Sequence, residues 1–338
     1  MMFEIFMYAI NAVMPIILLI ILGYVLKSVG FFKADFLKMA NKMVFRVCLP
    51  TLLFYNVYNI SDLGAIRWDV VLYCLVIIAV LFALGLITVL LFVKDRRQKG
   101  VILQCVFRSN FAIIGIPLSE ALGGSEGVAI AAILSAFTIP FFNILAVISL
   151  SVFVSEGESK IDVKDILMKI VKNPLIIGVC CGLAALVIRS LIPVKTDGTL
   201  VFSLSGTLTF LYTAIGNVAK IASPLALIIL GGQFTFSAVK GMLREIIVGT
   251  SWRIVAAPVI GVVAAAVLSN MGVLDFDITV YPALVALFGS PVAVSSAIMA
   301  GEMDNDEQLA SQLVVWTSVG SMFTIFLLVV GMKYAGLL

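Results

Sequence analysis

Two Gly-x-Pro triplets interrupt long apolar stretches of this chain. They are Gly115-Ile116-Pro117 and Gly289-Ser290-Pro291, 174 residues apart. A proline removes a backbone donor and clashes with the preceding turn. At membrane depth such broken backbone is tolerated only where it is buried in protein or lines a cavity. Amides at the start of a half-helix lack intrahelical partners and carry partial positive charge, so an anion can dock there without a full protein charge. One proline is equally well explained as a packing kink, whereas a matched pair in the two halves points to a substrate site near the bilayer midplane. The chemistry expected of Gly115, Ile116, Pro117, Gly289, Ser290, Pro291 and Val292 is therefore anion recognition by backbone. Asn110 stands seven residues before Pro117 with Ser109 beside it, and would add an amide donor. Ser290, Ser295 and Ser296 supply hydroxyls on either side of the second break.

Charges inside apolar stretches are functional candidates by default. Arg46 and Lys220 each stand four residues before a proline, Pro50 and Pro224. They could attract an anion or pair with carbonyls freed by those prolines; the competing reading is snorkelling to the cytoplasmic surface. Arg253 lies similarly deep and is expected to meet a polar neighbour. Arg108, near a cytoplasmic span end, reads as an interfacial anchor. Glu120, near an outer span end, is a candidate proton carrier or a surface group. Among uncharged polar residues Asn143 and Gln312 rank first, because their spans should pack near the breaks. Gln308 and Gln312 are four apart and share a helix face. Ser295, Ser296, Gln308 and Gln312 could serve a Na⁺ site, although such groups commonly serve as glue between helices. Catalytic signals are absent: the chain has no His, no Gly-x-Ser-x-Gly, no P-loop and no HExxH. No Asp stands in the middle of an apolar span. The chain is read as a non-enzyme with no metal or organic cofactor, coupling to Na⁺ or protons being the one open question. The five cysteines sit in or near apolar spans and read as small packing residues.

The elements that must position these residues follow from composition. Of 338 residues, 62% are hydrophobic and 12% charged, with a mean hydropathy of +1.19. This is the profile of a polytopic membrane protein. Ten spans are expected, near 5–29, 36–58, 69–93, 101–122, 127–154, 174–192, 206–232, 243–268, 279–301 and 307–335. One alternate set of loops is rich in Lys and Arg, including Lys33, Lys94, Arg96, Lys164 and Lys240; the other holds only Arg67, Lys195 and Lys333. The positive-inside rule makes the first set cytoplasmic and places both termini outside. The first apolar stretch reads as a span, not a cleavable signal. The net charge of +3 does not suggest a nucleic-acid partner.

Shifting the chain by 174 residues superposes Pro50 on Pro224, Pro117 on Pro291, Gly115 on Gly289, Gly127 on Gly301 and Arg46 on Lys220. Each half holds five spans, and an odd number forces the second half in upside down, the plan of many secondary transporters. The expected units are a first repeat at 1–154, a cytoplasmic linker at 155–173 and a second, inverted repeat at 174–338. The linker, SEGESKIDVKDILMKIVKN, reads either as a surface amphipathic helix or as a solvated connection.

NFAIIGIPLSEALGG, from Asn110 to Gly124, resembles the Asn-x4-Gly-Ile-Pro-Leu signature of the auxin efflux carrier family. NKMVFRVCLPTLLF, IASPLALIILGG and FGSPVAVSSAIMAG resemble it too, so the likeness covers nearly the whole chain. The short junction is similar to that of bacterial members, which include malate and malonate permeases. The resemblance implies an all-α fold of ten helices in two inverted five-helix repeats, similar to bile acid sodium symporters, with helices 4 and 9 broken and crossing. It implies a scaffold from 1–58 and 174–232 and a mobile transport domain from 69–154 and 243–338, with a homodimer through the scaffold. Asn110 would face the substrate carboxylate. The third span departs from the plant exporters, which carry an acid and a lysine there; here it has only Asp69, at its outer edge. The expected function is secondary transport of small organic anions, mono- or dicarboxylates, in the cell (inner) membrane by elevator-type alternating access. An anion channel or ligand sensor on the same fold is the alternative.

Overall fold

Long apolar runs in a bilayer must pair their backbone internally, and a helix does this within one segment. The computed structural model describes residues 2–59, 67–154, 168, 171–193 and 201–338, and for 2–13 and 236 the backbone alone. Apart from residues 168 and 171–173, the 155–173 linker and its expected amphipathic helix lie outside the described residues. The helices are α1 Met2–Ser28, α2 Ala34–Met43, α3 Leu49–Tyr58, α4 Trp68–Phe92, α5 Arg96–Phe107 and α6 Ile116–Val152. After the linker come α7 Pro174–Leu191, α8 Thr209–Gln233, α9 Leu243–Ser251, α10 Ala264–Asn270, α11 Tyr281–Gly289, α12 Ser295–Glu302 and α13 Glu307–Tyr334. Among the described residues, six helical runs are long and apolar enough to cross a membrane. They are Trp68–Phe92, Phe111–Val152, Pro174–Leu191, Thr209–Gln233, Leu243–Asn270 and Glu307–Tyr334. In the most apolar window of α4 only 33% is buried inside the protein. Along α4, Leu72, Val76 and Leu91 are exposed, an apolar surface suited to lipid.

The starts of the helices are written locally. Asp95 accepts from the Arg97 amide at 2.8 Å to open α5, and Asp306 accepts from the Leu309 amide at 2.9 Å to open α13. Gly124 adopts φ +58° inside the Phe111–Val152 run and divides it into two helices, where the sequence places the turn between its fourth and fifth spans.

Proline acts here by a gentler route than breakage. Three π-turns, Val44–Cys48, Phe111–Gly115 and Trp252–Ala256, each end two residues before a proline: Pro50, Pro117 and Pro258. The wider turn takes up the missing donor and the ring clash without opening the helix. The first Gly-x-Pro triplet is therefore helical, which corrects the expectation of a break at Gly115–Pro117. The chain opens earlier instead, at Arg108–Asn110 between α5 and the π-turn. The second triplet does coincide with an opening, at Ser290–Val294 between α11 and α12. Shifted by 174, Ser109 falls on Ala283, inside α11, so that register does not superpose the two openings.

Packing falls into recurring pairs. α1 lies against α8, and α3 lies against α7. The α1–α8 approach is so close that a Cβ at Gly23 would overlap the Ile228 carbonyl, and one at Gly231 the Ile20 carbonyl. Small residues let helix backbones meet this way in membranes, where dispersion contacts must replace a hydrophobic driving force. The other elements surround the two openings, with α11 wholly buried against α6 and α13.

Candidate functional site

The two openings meet. Ser109 and Val292 form an isolated antiparallel bridge, and the Asn110 amide donates to the Pro291 carbonyl at 2.8 Å. The Val292 amide donates to Thr317 Oγ1 of α13 at 3.2 Å. Two half-helices end at the bridge and two begin there. The ends, at Phe107 and Gly289, present orphan carbonyls. The beginnings, at Phe111 and Ser295, turn their first amides toward the same place, although Ser296 and Ala297 already donate to Ala293 O and Val294 O at 2.9 and 3.2 Å.

Arg253 serves the carbonyl side. It is fully buried, and its guanidinium donates to Phe288 O at 2.6 Å, Ser290 O at 3.0 Å, Phe107 O at 3.2 Å, and Leu287 O and Val106 O at 3.4 Å. One planar fork thus binds the C-termini of both half-helices, where the helix dipole favours a cation. The polar neighbour expected for Arg253 is backbone, and Arg253 does not line the cavity.

The amide side opens into a cavity of about 70 Å³. Its polar lining comes from Arg108, Ser109 and Asn110 of the first opening, Asn143 of α6, and Ser295 just after the second. Ser109 Oγ and Asn110 Nδ2 are buried, at 5% and 4% residue exposure, and have no hydrogen-bond partner among the described residues. A buried, unpaired donor costs about 1–3 kcal/mol, so two side by side in a cavity wall mark a place for an acceptor. The facing wall is apolar: Leu49, Leu52 and Leu53, with Leu175 of α7 and Ala226 of α8, relieved by Asn56 and Ser223.

Arg108 is the residue that sequence reasoning misplaced. It is not an interfacial anchor but 4% exposed, and it borders the cavity. Its guanidinium donates to Gln104 Oε1 at 2.6 Å, Met299 Sδ at 2.7 Å, Asn143 Oδ1 at 2.8 Å and Ser295 Oγ at 2.9 Å. Every one of these partners is neutral. The signal was present in its adjacency to Ser109 and Asn110, but a boundary drawn from hydropathy put it at the surface.

The structure thus gathers Ser109, Asn110 and Asn143, together with Ser295, which the sequence offered as a coupling group, into the lining of one cavity. It leaves others elsewhere. Gly115 packs where a Cβ would come within 3.0 Å of the Ala286 carbonyl, and Ile116 and the exposed Pro117 are outside the cavity lining. Ser290 turns its hydroxyl to Ala286 O at 2.6 Å and its carbonyl to Arg253, Pro291 and Val292 contribute backbone to the bridge, and Gly289 ends α11. Gln312 is fully buried, donating to Thr235 O at 2.9 Å and accepting from Trp316 at 3.1 Å, which makes it a packing group. Lys220 and Glu120 are exposed. Arg46 is also exposed; with Gln308 it lines a second cavity of about 690 Å³, between α1–α2 and α12–α13. That cavity mixes Lys27, Lys38 and Lys42 with Glu302, Asp304 and Glu307, and Asn41 Nδ2 donates to Glu302 Oε1 across it at 3.2 Å. Among the described residues no group of three or more His, Cys, Asp or Glu is placed to hold a metal ion.

An all-helical chain with several lipid-length helices and a polar cavity between broken ones belongs to the class of multi-pass membrane proteins. The comparisons make this specific. A family described as membrane transport protein matches residues 8–162 and 160–329. The chain belongs to that family, the auxin efflux carrier-like transporters. It is 25% identical over 332 residues to an uncharacterized transporter of Methanothermobacter thermautotrophicus, covering 95% of this chain and 97% of the relative. It is 24% identical over 259 residues to an uncharacterized transporter of Methanocaldococcus jannaschii, covering 75% of this chain and 77% of the relative. Transport across a lipid bilayer, not catalysis, is the activity of this family.

Proposed function

We propose that the chain is a secondary transporter of small organic anions, binding a carboxylate at the paired openings and carrying it by elevator-type alternating access. The observation that carries this reading is the pair of unpartnered buried donors, Ser109 Oγ and Asn110 Nδ2, in a cavity wall that also holds two half-helix N-termini. Hydroxyl, amide and backbone N–H groups converging without a carboxylate among them suit an anion's oxygens. The same proposal takes the chain as ten spans in two inverted repeats, 1–154 and 174–338, with helices 4 and 9 crossing at the openings, in the cell (inner) membrane with both termini outside. The packing of α1 on α8 and α3 on α7 supports it, since exchanging the repeats turns one pair into the other. The scaffold would be 1–58 and 174–232, paired as a homodimer, and the moving domain 69–154 and 243–338. Coupling to Na⁺ or protons belongs to the proposal too, and comparing uptake under each imposed gradient identifies it.

The test is uptake of a radiolabelled organic-acid panel into proteoliposomes. Asn110→Ala removes one donor to a charged acceptor, about 1.5–3 kcal/mol, and should lower apparent affinity for the best substrate roughly tenfold or more. Unchanged uptake in that variant would remove Asn110 from the site. A panel with no transported acid would overturn the anion reading.

A further inference from the structure

Arg108 is a buried cation with no acidic partner among the described residues. The ion pairs among the described residues are those of Arg67 with Asp69 and Asp277. Among the described residues Arg108 donates to the neutral Gln104, Met299, Asn143 and Ser295. Taking a full charge out of water is costly unless an opposite charge or dense hydrogen bonding compensates. Arg253 is compensated by five carbonyls at the helix ends. Arg108 has a looser set, and its Nη2 already divides itself between Asn143 Oδ1 and Ser295 Oγ. It can give up one of these for a carboxylate oxygen without leaving the cavity wall, next to the waiting donors of Ser109 and Asn110.

We propose that Arg108 is the charge-selecting residue of this cavity and that its ligand is an amphipathic monoanion, one carboxylate on an apolar or weakly polar body. This rests on the anion-transport reading above and adds to it the source of charge selection and the number of charges. The single charge follows from the two walls. Arg108 is the one cationic side chain lining the cavity among the described residues, while the facing wall is Leu49, Leu52, Leu53, Leu175 and Ala226. A second carboxylate would be pressed against leucines with only Asn56 and Ser223 to receive it. An apolar body would instead gain from that wall.

Full-length protein in lipid nanodiscs, titrated calorimetrically with butyrate, succinate and butyramide, tests the assignment. Wild-type protein should bind butyrate about tenfold or more tightly than either of the others, the range of a charge-assisted hydrogen bond made or lost. Arg108→Gln should bring the butyrate-to-butyramide ratio close to unity, and Arg108→Lys should keep the preference for the acid. Asn143→Asp puts a carboxylate against the guanidinium, now 2.8 Å from Asn143 Oδ1. It should raise the melting temperature of the unliganded protein and weaken butyrate binding by a similar factor. An unchanged acid-to-amide ratio in Arg108→Gln overturns the role of Arg108. Should that variant not fold, full butyrate affinity in Asn143→Asp overturns it instead. Succinate binding as tightly as butyrate overturns the single-charge assignment. Wild-type protein that binds neither acid overturns the anion reading beneath both.

Discussion

Arg253 and Arg108 are the same residue type, a few residues apart in the folded core, and the difference between them is what each guanidinium touches. Arg253 holds backbone carbonyls from two half-helix ends, so its removal strands several buried acceptors at once. Each stranded carbonyl costs about 1–3 kcal/mol. Arg253→Met should therefore lower the melting temperature of the purified protein sharply, more than any single substitution in the apolar wall. Arg253→Lys should recover only part of the loss, because an ammonium offers three donors from one point and cannot span both helix ends. Thermal unfolding in detergent checks both, and a melting temperature unmoved by Arg253→Met would sink the clamp. Arg108, by contrast, has neutral side-chain partners that can be exchanged.

At the scale of elements, the division of labour lies in how close the helices sit. α1 and α8 touch backbone to backbone through Gly23 and Gly231, with no room for a Cβ at either. Gly231→Val should force the pair apart and leave little monodisperse protein. Fluorescence-detected size exclusion reads this directly, and a normal yield would show that the two helices can slide. The cavity, on the other hand, is bounded by side chains from α3, α6, α7 and α8 and by the helix openings. Under the proposed elevator mechanism, the closely packed pair would stay together while the boundary of side chains slides.

At the scale of the whole molecule, Asn41 Nδ2 and Glu302 Oε1, 3.2 Å apart, join α2 to α12 across the larger cavity. If 1–58 belongs to a scaffold and 243–338 to a moving body, joining them must arrest transport. In a background with the five native cysteines replaced, a short thiol cross-linker between Asn41→Cys and Glu302→Cys should stop uptake. Uptake that continues with the cross-link in place would contradict this division of the chain. A second tie, from Arg67 to Asp277 at 3.0 Å and to the Asp275 carbonyl at 2.9 Å, joins the approach to α4 to the loop before α11. Hydrogen bonds from Thr279 and Arg67 hold the Asp277 carboxyl below its ordinary range. A lowered folded-state value means the contribution is present above the unfolded pKa, about 3.9, and is lost as pH falls below it. The side chain is 53% exposed, so the effect is small. The melting temperature of wild-type protein should fall slightly more than that of Asp277→Asn between about pH 5 and about pH 3.

Helix existence and six of the ten expected lipid-length runs were legible in the sequence, as was the nearness of polar residues to Asn110 and Pro291, because hydropathy and proline chemistry act over a few residues. The family followed from the motif beginning at Asn110. The place where the first helix opens was not legible. Pro117 announces a break, but a π-turn absorbs it, and the chain opens at Ser109, where it can pair with Val292 from the other half. The depth of Arg108 was not legible either, since hydropathy cannot tell a charge at a span end from one folded inward against Asn143 and Ser295. Nor could the sequence separate Gln312, spent on Thr235 and Trp316, from Asn143, which faces the cavity. What the sequence determined by itself was local: which segments are helices and which residue types could meet an anion. What only the tertiary structure decided was which of those residues share a wall, because those contacts are made between segments far apart in the chain and leave no period or spacing to read.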